Sequence, residues 1–119
     1  MAVGLGGAVG AMGRYALSLL PYKGTFPLLT LCTNLLGAVL IGLIAGLAGR
    51  GQLGGKWTLF WKTGVCGGFT TFSTFSLESL TLLEKGRYAL GGIYMVLSVG
   101  LCLFGILLGR RLSQIVSPA

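Results

Sequence analysis

Asn34 is a polar side chain in the middle of a long apolar stretch, where a polar group is costly. Its N–H₂ group could donate to an anion without adding a full charge that would trap the ion. A hydrogen bond between two helices is the alternative, and Asn34 alone does not decide between them.

Phenylalanines interleaved with hydroxyl groups follow later in the chain. Phe72 and Phe75 are three residues apart and share a face if the segment is helical. Aromatic rings have positive edges, so two such edges could contact a dehydrated anion. Phenylalanines at this spacing usually serve packing, and the interleaved Ser73 and Thr74 are what favour an ion path here.

Tyr94 and Ser98, with Cys102 one turn further on, form a mildly polar stripe on an otherwise apolar helix. The stripe could line a narrow path or make hydrogen bonds between helices. Arg14 lies inside the first apolar run, where it could attract anions to a vestibule or reach the membrane surface as an anchor. Glu78 could pair with a buried cation or donor.

The titratable residues argue against an enzyme. The chain has no His and only two acidic residues, which are Glu78 and Glu84. These provide no general acid–base pair and no metal-hydrolase ligand set. The nine Lys and Arg residues are scattered singly or in pairs, which does not suit nucleic acid and fits anchors at a membrane surface.

The composition indicates an all-α integral membrane protein. Of 119 residues, 54% are hydrophobic and 9% are charged, and the mean hydropathy is +0.88. A membrane helix needs roughly 20 apolar residues, so the chain has room for about four passes and no soluble domain. One transmembrane domain is predicted over residues 1–119, with spans at about 2–20, 27–48, 57–83 and 88–108.

The third predicted span is longer than one pass requires and contains poor helix formers. Two glycines are followed by a run of hydroxylated residues, which lower helix propensity and offer competing hydrogen bonds. We therefore expect a broken helix, with the break near Gly67 to Thr71. Freed peptide groups in a membrane need protein, water or an ion as partners, so a break often marks an ion site.

The positive charges give almost no orientation signal. With a cytoplasmic N-terminus, four basic residues lie inside and three outside: Arg50, Lys56, Arg110 and Arg111 against Lys23, Lys85 and Arg87. A chain that inserts both ways and forms an antiparallel homodimer would show this balance, as would a chain with one weakly set orientation.

Three segments resemble the Fluc (CrcB) family of small fluoride channels, over almost the whole chain. They are the glycine-rich residues 6–15, the Asn-Leu-Leu-Gly at 34–37, and the Gly-Gly-Phe-Thr-Thr-Phe-Ser-Thr-Phe-Ser at 67–76 followed by Glu78. The resemblance implies an antiparallel dual-topology homodimer in a bacterial inner or plasma membrane. It also implies two pores, each lined by both subunits.

The implied activity is passive export of cytoplasmic fluoride, which would confer fluoride resistance. Asn34, Phe72 and Phe75 would be pore residues, beside a last-helix track of Tyr94 and Ser98. A central structural sodium ion is also implied. By motif position, its ligands would be the backbone carbonyls of Gly67 and Thr70 from each subunit.

One residue departs from the family pattern, and two other functions stay open. Cys102 stands where the family's track has a hydroxyl, and a thiol is a weaker donor. The second candidate function is a small dual-topology proton-coupled exporter of organic cations, with Glu78 as its titratable carboxylate. A structural subunit that transports nothing is the third.

Overall fold

The structure, a computed structural model, describes residues 1–116. The helices are α1 (Ala2–Ser18), α2 (Leu28–Gly49), α3 (residues 55–69), α4 (Phe72–Glu84) and α5 (Tyr88–Val116). No β-strand occurs within residues 1–116, which confirms the all-α prediction. In this part of the chain, α2 and α5 are each long and apolar enough to cross a membrane.

Helix α3 is continuous but changes its winding. α-Helical Gly55–Thr58 and Gly67–Phe69 flank a π-helical segment, Leu59–Cys66. A π-turn bonds each N–H to the fifth residue back and is wider than an α-turn. No feature of the sequence predicted this segment.

Left-handed glycines end α2 and α4 and allow tight reversals of the chain. Gly51 and Gly86 have φ angles of +72° and +76°. After Gly86, the N–H of Arg87 bonds to the carbonyl of Leu82 at 2.9 Å, which closes a Schellman motif. These turns leave only a few residues between consecutive helices.

Helix α5 continues to Val116, past the predicted end of the fourth span at Leu108. Arg50, just after α2, donates to the carbonyl and the hydroxyl of Ser113 at 2.7 and 2.8 Å. The arginine pair at 110–111 therefore ends the apolar stretch and not the helix. A charged pair stops an apolar segment, whereas helix propensity and this contact carry the helix further.

Two pairs of helices approach so closely that only glycine fits between them. A Cβ atom on Gly10 of α1 would overlap the carbonyl oxygen of Val65 in α3. One on Gly109 of α5 would overlap the carbonyl oxygen of Val39 in α2. Small residues allow such backbone contact in lipid, where no hydrophobic force drives helices together.

The outer surface is rich in large apolar side chains. Phe104 is 61% exposed and Ile115 is 75% exposed, whereas the buried hydrophobic cluster contains Leu31, Leu82 and Tyr94. A surface of this kind suits lipid or another subunit and not water. It agrees with the prediction of a membrane protein.

Replacing Gly10 with alanine should destabilise the helix bundle, because its methyl group would collide with the Val65 carbonyl. We expect a loss of about 1–3 kcal/mol, seen as a lower melting temperature of the detergent-solubilised protein. Gly4→Ala on the same helix is the control, since a Cβ there meets no atom within 4 Å. Equal melting temperatures for the two variants would contradict the close-contact account.

Candidate functional site

The helical path is interrupted at Thr70 and Thr71. α3 ends at Phe69 and α4 begins at Phe72, and the two threonines between them have extended backbone, with ψ angles of 155° and 117°. The interruption thus falls at the C-terminal end of the stretch in which the sequence predicts a break.

The side chain of Asn34, in α2, makes hydrogen bonds to both the backbone N–H and the backbone carbonyl of Thr71. The N–H of Thr71 donates to Asn34 Oδ1 at 2.8 Å, and Asn34 Nδ2 donates to the carbonyl of Thr71 at 3.1 Å. The side chain thereby replaces the partners that a helix would have supplied. One amide proton of Asn34 is used, and within residues 1–116 the other has no acceptor.

The interruption also removes the α-helical donors of two carbonyl groups. In an unbroken helix the N–H of Thr71 would bond to the carbonyl of Gly67, but it bonds to Asn34. Likewise the N–H of Thr74, which would serve the carbonyl of Thr70, bonds to Thr71 Oγ1 at 3.2 Å. The carbonyl oxygens of Gly67 and Thr70 are therefore released from the helical pattern.

Hydroxyl groups gather at the start of α4 around Thr71, its N-cap. Thr71 Oγ1 donates to Thr74 Oγ1 at 3.0 Å and lies 3.4 Å from Ser73 Oγ. Capping of this kind satisfies a free N–H of the first turn. Ser73 and Thr74 thus serve the start of the helix and do not line the open groove beside the interruption.

Most of the predicted site residues meet in that open groove. The groove has a volume of about 600 Å³. The predicted residues that line it are Asn34, Gly67, Thr70, Phe72, Phe75 and Ser98, together with Cys102. Helices α2, α3, α4 and α5 each contribute at least one of them.

Phe72 and Phe75 form an aromatic pair on one wall of this groove. Their ring centroids are 5.5 Å apart and the ring planes are tilted by 47°. Phe72 is 77% exposed, whereas Phe75 is half-buried and also contacts the ring of Tyr94 at 5.2 Å. The outer ring is thus free to meet another molecule and the inner ring is held in place.

Ser98 is a buried donor that has no bonded partner. Only 6% of the residue is exposed, and within residues 1–116 its Oγ is the one buried side-chain oxygen or nitrogen that makes no hydrogen bond. Buried hydroxyls are almost always satisfied, so the Ser98 hydroxyl is available to bind water or a ligand in the groove. Cys102 lies one turn further along the same face.

The hydroxyl of Tyr94 points away from the groove. Tyr94 is completely buried, and its hydroxyl donates to Glu78 Oε1 at 3.0 Å. The other carboxylate oxygen, Oε2, accepts from Thr30 Oγ1 at 3.1 Å. Glu78 thus joins α2, α4 and α5 as an acceptor for two hydroxyls.

Arg14 contacts the end of α3. Its Nε donates to the carbonyl of Gly68 at 3.1 Å, and the side chain is half-buried. A positive charge is favourable at the C-terminal end of a helix, where free carbonyls accumulate. Arg14 is therefore placed on the α1 side of the interruption and not in the groove.

Comparison with known proteins identifies the family. The profile of the family described as CrcB-like protein, Camphor Resistance (CrcB), matches residues 1–110. The chain belongs to the CrcB family. This membership confirms both the resemblance seen in the sequence and the prediction that the chain is not an enzyme.

Relatives in the CrcB family match almost the whole chain, and the three described next are each named fluoride-specific ion channel FluC. One from Ruminiclostridium cellulolyticum is 45% identical over 98% of this chain and 93% of its own. One from Paramagnetospirillum magneticum is 42% identical over 97% and 94%, and one from Methanococcus maripaludis is 44% identical over 94% and 93%.

The groove of this CrcB chain includes residues that the sequence analysis did not single out. Thr71 supplies the peptide group that Asn34 holds, and Lys62 and Thr63 line the groove on the α3 side. A lysine inside a predicted membrane span was the available signal for Lys62. For Thr71 the signal was the hydroxyl spacing to Thr74, which is typical of an N-cap.

The residues expected to hold a cation suit a hard ion. Sodium prefers oxygen ligands, and the carbonyls of Gly67 and Thr70 are oxygens released from helical bonding. No group of three His, Cys, Asp or Glu side chains that could hold a metal occurs within residues 1–116. Backbone carbonyls of this CrcB chain are therefore the oxygen donors that the interruption offers to a cation.

Glu78→Leu should destabilise this CrcB chain, because it removes the acceptor of the buried Tyr94 hydroxyl and of Thr30. We expect a loss of about 1–3 kcal/mol, measured as a lower melting temperature in detergent. Glu78→Gln is the matched control, since its amide oxygen still accepts one hydroxyl and should keep most of the stability. Equal losses in the two variants would exclude the acceptor role.

Proposed function

We propose that the protein is a fluoride-selective channel that exports cytoplasmic fluoride passively across the cell membrane. The observation that carries the proposal is the groove, in which an amide, two phenyl rings and an unpartnered hydroxyl converge beside the helix interruption. The names of the relatives point to the same ion. The groove holds no carboxylate, which would repel an anion.

Fluoride is small and strongly hydrated, so a channel must replace its water with several weak donors in succession. In the groove these donors are the second amide proton of Asn34, the ring edges of Phe72 and Phe75, and the hydroxyl of Ser98. All are neutral, so none binds the ion tightly enough to trap it. Tyr94 contributes through its ring, which fixes Phe75.

Selectivity against chloride follows from the same donors. Chloride is larger and accepts weaker hydrogen bonds, so a narrow path with fixed donors favours fluoride. The Asn34 amide is positioned by two bonds to Thr71, which keeps its remaining proton at a set place. Preorganised donors of this kind discriminate better than flexible ones.

The proposed functional unit is an antiparallel homodimer with two pores. One subunit leaves its groove open, with Phe72 exposed, and a second copy would close the path. When basic residues within the helices are also counted, the predicted topology puts five on one side of the membrane and four on the other. They are Arg50, Lys56, Lys62, Arg110 and Arg111 on the side of the N-terminus, against Arg14, Lys23, Lys85 and Arg87. This balance supports insertion in both orientations.

A structural sodium ion at the centre of the dimer is part of the proposal. Gly67 and Thr70 of each subunit would direct carbonyl oxygens at it, in place of the helical bonds lost to Asn34 and Thr71. When bound, sodium supplies a fixed positive charge that offsets the dipoles of these carbonyls.

Liposomes containing the purified protein should release fluoride and retain chloride, because only fluoride matches the fixed donors. A fluoride electrode and a chloride electrode would record efflux after a potassium ionophore is added. Protein-free liposomes are the control. Equal release of the two anions, or release of neither, would refute the channel assignment, and the second result would favour a subunit without transport.

Phe72→Ile should lower fluoride efflux at least tenfold, since an aliphatic side chain has no positive edge to offer the ion. Phe104→Ile is the matched control, because Phe104 is similarly exposed on α5 but lies outside the groove. Both variants should retain the melting temperature of the wild type. Equal efflux from the two variants would contradict the role of Phe72 in the ion path.

A C-terminal tag should be detected on both faces of the cell membrane if the subunits insert in both orientations. The purified protein in detergent should also have twice the 12.3 kDa mass of one chain, measured by light scattering. A tag that is accessible from one face alone would contradict the antiparallel arrangement, whatever the oligomeric mass.

The alternative of a proton-coupled exporter depends on Glu78 as a carboxylate free to exchange protons. Both of its oxygens accept hydroxyl donors, and the residue does not line the groove. Fluoride efflux that is insensitive to a proton gradient would favour the channel. Uptake of organic cations that Glu78→Gln abolishes would favour the exporter.

A further inference from the structure

Lys62 is the charged residue among those that line the groove. It lies in the π-helical segment of α3, seven residues before Phe69 at the end of that helix. The groove therefore extends from the neutral donors around Asn34 to a lysine ammonium group. The proposed ion path uses only the neutral donors and assigns no role to Lys62.

Aromatic residues just before Lys62 indicate where α3 meets the membrane surface. Trp57 and Phe60 make an edge contact with centroids 5.9 Å apart, and Phe60 and Trp61 make another at 5.3 Å. Tryptophans concentrate at the boundary between lipid and water, so this cluster marks that level in α3. Lys62 follows directly after it, towards the interruption.

Within residues 1–116, no acidic side chain forms an ion pair with Lys62. Glu78 is engaged by two hydroxyls, and Glu84 is exposed at the far end of α4. A charged side chain inside a membrane span is costly unless water or an opposite charge reaches it. A groove that carries an anion supplies both the water and the opposite charge.

We propose that Lys62 draws the permeating anion into the groove and holds it briefly before it reaches the neutral donors. The proposal rests on the proposed channel function and adds a residue that determines how often the ion enters. An ammonium group at the groove wall raises the local anion concentration. Because the deeper donors are neutral, the ion is still released onwards.

Fluoride efflux from liposomes at low ionic strength tests this role. Lys62→Met should lower the initial rate roughly three- to tenfold at about 20 mM salt, and the deficit should shrink at about 500 mM, where charges are screened within a few ångströms. Lys62→Arg should retain the wild-type rate. Lys56→Met is the control, because Lys56 begins the same helix but does not line the groove.

The outcomes separate the possible explanations. If wild type conducts and Lys62→Met conducts equally, the Lys62 role fails while the channel function stands. If wild type releases no fluoride, both fail. A deficit in Lys62→Met that persists at high salt, or an equal deficit in Lys56→Met, would also overturn the proposal. An equal deficit in Glu84→Gln would also overturn it, because this result would indicate that Lys62 acts through an ion pair with Glu84 of another subunit.

Discussion

The pairing of the Asn34 amide with the peptide groups of Thr71 is the interaction on which the rest of the site depends. A peptide group without a partner is costly in lipid, where no water can replace the lost hydrogen bond. One asparagine supplies an acceptor for the Thr71 N–H and a donor for its carbonyl. The chain can therefore leave one helix and begin another with only two extended residues between them.

The other features of the groove follow from that pairing. Since Thr71 turns to Asn34, the carbonyl of Gly67 loses its helical partner, and Thr71 Oγ1 is left to cap α4. The new helix starts with Phe72, which places its ring and that of Phe75 on the groove wall. The Phe75 ring then packs on Tyr94 and separates the groove from the hydroxyl–carboxylate cluster behind it.

The sequence predicted the helical class, and it predicted a break in the third span because glycines and hydroxyl-bearing residues are poor helix formers wherever they lie. It could not separate Tyr94 from Ser98, which are four residues apart on one helical face. The difference arises from α4. Its Phe75 packs on the ring of Tyr94 and its Glu78 accepts the bond from the Tyr94 hydroxyl, whereas Ser98 borders the groove. Tertiary contacts of this kind leave no mark in the periodicity of one helix. The bond from Arg14 to Gly68 and the π-helical winding of α3 escape prediction for the same reason.

Close glycine contacts leave the groove open at the surface of the bundle. Gly10 and Gly109 bring backbones together, so the bundle is thin, and its buried hydrophobic cluster is small. A thin bundle cannot surround a polar groove, which therefore opens at the surface beside an exposed Phe72. If lipid covered that surface, it would leave the hydroxyl of Ser98 and the free amide proton of Asn34 without partners. In the proposed antiparallel homodimer, a second copy would remove that penalty, and the nearly even distribution of basic residues would allow this copy to insert the other way round.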